Sequence, residues 1–144
     1  MKMRSIFVAA LIFAGVLLAG AAQAADDRPV QSPHIAGPHG LEGWTLNWPL
    51  PDNQNAGERY PSTLVIARNG KVLRKIEGGG FVWNWIFWDD GRKVAYESGP
   101  LHFGLACNLY DLAKGRDVAS FDCFHGIPDN APAWLQALES SPRQ

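Results

Sequence analysis

Three tight-turn signals constrain how this chain can fold. Asn69-Gly70, Asp90-Gly91 and the quartet Ala113-Lys114-Gly115-Arg116 each separate two runs rich in β-branched and aromatic residues. Such turns need backbone at positive φ, which Gly and Asn supply at least cost, and they fold the chain back as antiparallel hairpins. The flanking runs predict strands over residues 62–68 and 71–77, 81–88 and 92–98, and 104–112 and 117–124. Before them, WTLNW alternates Trp44, Leu46 and Trp48 with Thr45 and Asn47, the period of a strand with one buried face. After them, PDNAPAWLQALESS reads as a short helix: Asp129 or Asn130 is expected to cap it, Pro132 suits its first turn, and Trp134, Leu135 and Leu138 form its apolar stripe. The expected fold is all-β, an antiparallel meander of about seven strands, open or barrel-like, with one C-terminal helix. Gly78-Gly79-Gly80 precedes a strand rather than a helix, so it reads as a corner and not as a phosphate cradle.

The run FVWNWIFWDDGRKVAYESG, residues 81–99, is the most aromatic in the chain. A two-residue turn at Asp90-Gly91 sets Phe87 opposite Val94, Trp85 opposite Tyr96 and Trp83 opposite Ser98. One face then carries Phe81, Trp83, Trp85, Phe87, Val94 and Tyr96. The other carries Val82, Asn84, Ile86, Trp88, Lys93, Ala95 and Glu97. A strand apolar on both faces belongs between two packed layers. Two readings compete for its rings. Trp83, Trp85 and Tyr96, or Trp44 with Trp48, can form a stacking platform for sugars or peptides. Alternatively they are core, which the scarcity of other large side chains in so short a chain favours.

The run FVWNWIFWDDGRKVAY followed by LYDLAKGRDVASF resembles one blade of the WD-type and related periplasmic β-propeller repeats. The hairpin over 62–77 similarly resembles the last two strands of a preceding blade. The resemblance implies a four-stranded antiparallel sheet and brings no catalytic residues with it. A closed propeller needs about four blades or more, and this chain holds at most one and a half. A free-standing twisted sheet, or self-association through its unpaired edges, is therefore expected.

The N-terminus, MKMRSIFVAALIFAGVLLAGAAQAADD, has the layout of a secretory signal peptide: Lys2 and Arg4, a short apolar run, then Ala22-Gln23-Ala24. Residues 1–24 read as that signal, cleaved after Ala24, 25–43 as an extended leader too rich in Pro and Gly to pack a core, and 44–144 as one domain. Periplasm or cell exterior is the expected destination, with no membrane attachment after cleavage. Loss of Lys2 and Arg4 moves the formal charge from −1 to about −3. With no cluster of Lys and Arg, this balance argues against nucleic acid and against an anionic membrane surface as partners. The loop from Pro49 to Pro61 is long for a compact domain and reads as functional or mobile.

Cys107 and Cys123 are the only cysteines. They fall on the apolar faces of adjoining strands, opposite or one diagonal apart, and a lone pair in a secreted domain is expected to form a disulfide. The alternative is a metal site from His102, Cys107, Cys123 and His125, whose spacing matches no compact zinc motif. His102 near Glu97, or Asp111 with Asp122, offers acid and base groups, yet no nucleophile elbow, paired-His motif or phosphate loop accompanies them. Asp89 and Asp90 read as turn formers, and His34 and His39 as leader residues. The leading expectation is a non-enzymatic binding or protein-interaction module that needs no cofactor and meets a protein or glycan of the cell envelope. The alternatives are a small hydrolase or metal enzyme using His102 and His125, and a carbohydrate-binding aromatic platform.

Overall fold

The computed structural model describes residues 28–49, 58–100 and 104–143. The signal segment and most of the loop from Pro49 to Pro61 lie outside them. Two short strands, β1 (Val30–Gln31) and β2 (Ile35–Ala36), pair along one edge of β3 (Leu41–Pro49). From β3 the first sheet continues to β4 (Arg59–Arg68) and β5 (Lys71–Glu77). The second sheet runs β6 (Phe81–Trp88), β7 (Lys93–Gly99), β8 (Ala106–Asp111) and β9 (Arg116–Asp122) in chain order. Every pairing is antiparallel, and among the described residues neither sheet closes into a barrel. One helix, α1 (Ala133–Ser140), ends the fold.

The seven expected strands are present, and β1 and β2 are two more. Both come from the segment expected to stand apart as an extended leader. It is extended, but it is not excluded from the core: Leu41 is buried and Ile35 packs against the same cluster. A Pro- and Gly-rich segment cannot build a core of its own. It can still satisfy the N–H and C=O groups along another strand's open edge, which is what Ile35 does opposite Gly43 and Gln31 opposite Leu46.

The turn chemistry explains the hairpins. Asn69 (φ 49°) and Gly70 (φ 77°) occupy the left-handed region that a type I′ turn requires. The next hairpin keeps the expected register, with Trp85 opposite Tyr96 and Phe87 opposite Val94. Its turn is wider than two residues: Asp89, Asp90 and Gly91 all have positive φ, and pairing resumes at Trp88 with Lys93. The expected pair of Trp83 with Ser98 does not form. A register shift between Val82 and Asn84 leaves Trp83 as the extra residue and sets Val82 opposite Ser98, which moves Val82 into the same cluster as Trp85.

Among the described residues the core has three clusters, the smallest being Trp44, Val65 and Ala67 on the first sheet. Leu41, Leu64, Ile66 and Ile76 of the first sheet meet Val82, Trp85, Val94 and Tyr96 of the second. On the far face of the second sheet, Ala95, Leu109 and the Cys107–Cys123 disulfide pack with Trp134, Leu135 and Leu138 of α1. The second sheet is thus the middle of three layers, which accounts for a β6 apolar on both faces. Cys107 pairs with Phe121, so Cys123 lies one diagonal along, with a Cα–Cα distance of 5.9 Å. Closing a loop with a separation of 16 residues stabilises the fold by about 3 kcal/mol in the chain-entropy account.

The helix ends differ from expectation at one point. Neither Asp129 nor Asn130 caps the N-terminus. Pro132 holds the cap position, and Gln136 reaches back to donate to the Ala131 carbonyl at 2.7 Å. At the other end Asn84 of β6 donates to the Leu138 carbonyl (3.2 Å) and the Ser141 hydroxyl (2.8 Å), tying α1 to the sheet.

Trp85 is 2% exposed and Trp48 41%. Trp85→Ala is expected to cost about 3–5 kcal/mol in a denaturant melt, and Trp48→Ala about 0.5 kcal/mol or less. Equal losses for the two would contradict this assignment of core and surface.

Candidate binding site between the sheets

The bulge at Trp83 opens a cleft where the two sheets meet. The N-terminal strap supplies one wall through Gln31, Ser32, Pro33 and Ile35. Thr45 and Asn47 of β3 form the floor with Pro61 of β4, and Val82, Trp83 and Trp85 of β6 close the far side. Its volume is 560 Å3, within the range of small-molecule sites. None of these lining residues carries a formal charge.

Hydrogen bonds hold the walls. Ser32 donates its backbone N–H to the Thr45 carbonyl (2.9 Å), and the Thr45 N–H donates to the Ser32 hydroxyl oxygen (2.9 Å). The Thr45 hydroxyl donates to the Asn47 side-chain oxygen at 2.8 Å, which fixes the amide. Trp83 is half-buried and donates its indole N–H to the Gly99 carbonyl at 3.2 Å. Beside it Phe81 lies at 5.2 Å and Tyr60 at 6.5 Å between ring centroids, so Trp83 belongs to an aromatic cluster.

The sequence-predicted platform is not one surface. Trp44, Trp85 and Tyr96 are buried. Trp44 lies under the His34 ring, stacked at 4.0 Å, and His34 is held between Glu42 (3.0 Å) and Gln31 (3.2 Å). The Tyr96 hydroxyl donates to Asp117 at 3.0 Å, and burial, aided by that carboxylate, pushes its pKa well up. Only Trp83 touches the cleft from a partly open position, and Trp48 stands exposed, paired with Tyr60. Missing from the sequence reading are the strap residues, Tyr60 and the polar floor. The polar alternation Thr45–Asn47 is the one signal that pointed there.

Among the described residues the candidate acid, base and metal-ligating groups do not gather into one cluster. His102 lies outside the described residues. His125 is exposed against Phe124, with ring centroids 4.8 Å apart. The two cysteines are joined to each other and so are not thiolate ligands. Asp111 accepts the N–H groups of Ala113 (3.0 Å) and Lys114 (2.9 Å), and Asp122 that of Phe124 (2.9 Å): both are turn formers. Asp89 binds Arg92 and Lys93 inside its own turn. Glu97 is buried beneath the C-terminal segment, where the Arg143 guanidinium reaches it at 3.2 Å.

Comparison with protein-family models, with curated proteins and with solved structures finds no match to this chain.

Burial raises the Glu97 pKa above its ordinary value, Arg143 opposes the shift, and Glu139 adds to it. The native state then holds this proton more tightly than the unfolded chain. Glu97 favours folding most below the ordinary carboxylate range and loses that contribution as pH rises through its elevated pKa. Glu97→Gln is expected to raise stability at pH 7, with the gap closing near pH 4. Stability measured against pH checks this, and a variant less stable at pH 7 would show that the Arg143 pairing outweighs the burial cost.

Proposed function

We propose that the chain is a secreted, non-enzymatic binding module of the cell envelope that takes a neutral ligand with a flat apolar face, a sugar unit above all, in the cleft between its sheets. The observation that carries this reading is the cleft itself: a half-open indole at Trp83 beside a floor of Thr45 and Asn47, with no charged lining residue. Sugars present axial C–H faces that lie against indole, and hydroxyls that suit amide and hydroxyl groups. Among the described lining residues a charged ligand would find no counter-ion, so the uncharged lining selects against it. The neighbouring rings of Phe81 and Tyr60 extend the contact for a longer glycan.

The formed disulfide fits an oxidising, extracytoplasmic compartment, and among the described residues no helix is long and apolar enough to cross a membrane. With the signal layout of residues 1–24, this supports export to the periplasm or the exterior and cleavage after Ala24. The outer strands β5 and β9 are the surfaces for self-association, each with one exposed valine, Val72 and Val118.

A panel of neutral oligosaccharides titrated against tryptophan fluorescence tests the reading. At least one should give a saturable change, and Trp83→Ala should weaken it about tenfold. Failure of every neutral sugar, or full binding by a folded Trp83→Ala variant, would remove the proposal.

A further inference from the structure

We infer a second site, independent of the inter-sheet cleft, that binds a compact oxyanion through Arg74 and Arg68. The turns of the hairpins gather at one end of the molecule around a cleft of 760 Å3, with Arg68, Arg74, Arg92 and Lys93 set among Asp89, Asp90 and Asp111. The carboxylates are already engaged. Asp89 is held by Arg92 and by Lys93 (2.6 Å), Asp90 meets the His39 Nε2 at 2.8 Å, and Asp111 accepts the two backbone N–H groups of its own turn. Among the described residues, Arg68 and Arg74 of this cleft have no carboxylate partner.

Arg74 is the informative one. It is half-buried on β5, and its terminal nitrogens donate only to carbonyls: Nη1 to Leu73 at 2.7 Å and Nη2 to Ala113 at 3.5 Å. Its Nε is buried and has no acceptor. Gly115 lies alongside it: a Cβ there would stand 3.4 Å from that nitrogen, at ordinary contact distance. A guanidinium carries five donors in a rigid fork, and two carbonyls neutralise none of its charge. Desolvating such a group without an anion is costly, and a carboxylate, phosphate or sulfate supplies paired oxygens that accept from its N–H groups. Arg68, exposed at the end of β4, adds a second positive group to the same cleft. The three acidic side chains around it restrict the ligand to one small anion, since a polyanion would meet them at close range.

The mature chain labelled with 15N, titrated with inorganic phosphate, sulfate and acetate at constant ionic strength, tests this. The expected result is saturable shifts at the Arg74 Nε–H and at the backbone amides of Arg92 and Ala113. Arg68→Ala is expected to weaken binding about tenfold, as is Arg74→Lys, which keeps the charge and loses the fork. Preference for acetate assigns the site to carboxylates, and preference for phosphate or sulfate to tetrahedral anions. Shifts that stay linear for all three anions, or an unchanged affinity in Arg68→Ala, would overturn the inference. Neither outcome bears on sugar binding, which uses other residues and other probes.

Discussion

The seat of Trp85 on β3 is the contact from which the rest of the molecule follows. At Gly43 an added Cβ would stand 2.5 Å from Cη2 of the Trp85 indole and 3.1 Å from Cδ1 of Ile66. The ring therefore lies against bare backbone. Phe87, two residues along β6, is accommodated in the same way by Gly37, where a Cβ would fall 2.5 Å from the phenyl ring. The two rings meet edge to face at 5.3 Å. One strand thus presents two aromatic side chains, and the opposing chain supplies two glycines to receive them. This fit sets the distance between the sheets and gives the N-terminal strap a partner as well as an edge to pair with.

The same joint decides where ligand chemistry can reside. Rings seated in glycine pockets are removed from solvent, so Trp85 is scaffold. The bulge carries Trp83 out of that alternation and leaves it at the rim, a device strands use to redirect one side chain without breaking the sheet. Behind it the disulfide and α1 brace the other face of the second sheet. Trp83 therefore stands on a supported strand, which lowers the ordering cost of binding against it. At the opposite extreme, the turn cluster around Arg74 is governed by charge and not by packing. The two proposed sites would make separate demands on a ligand.

Much of this architecture was legible because turn chemistry is local. Asn69-Gly70 specified a hairpin through two φ values, and the alternation around Asp90-Gly91 specified the register of Trp85 with Tyr96, although the turn itself is wider. The cysteine pairing followed from the same hairpin logic. What stayed hidden is non-local. Nothing near Val30 or Ile35 announces that β3 has an open edge to cover, so the strap read as a leader. Gly43 read as the end of a Gly-rich stretch, because its purpose is set by a ring more than 40 positions away. Position 83 is one residue in a regular alternation, and only the pairing partner shows that it is the extra one. Of the five aromatics that the alternation offered as a platform, three are buried.

A double-mutant cycle between positions 43 and 85 tests the joint most directly. Gly43→Ala should destabilise the native protein by about 1–3 kcal/mol through overpacking. In a Trp85→Leu background, where the ring is gone, most of that loss should vanish, giving a coupling energy of about 1 kcal/mol or more. Additive effects, equal within about 0.5 kcal/mol in both backgrounds, would mean that the indole does not rest on Gly43 and that another contact holds the sheets together.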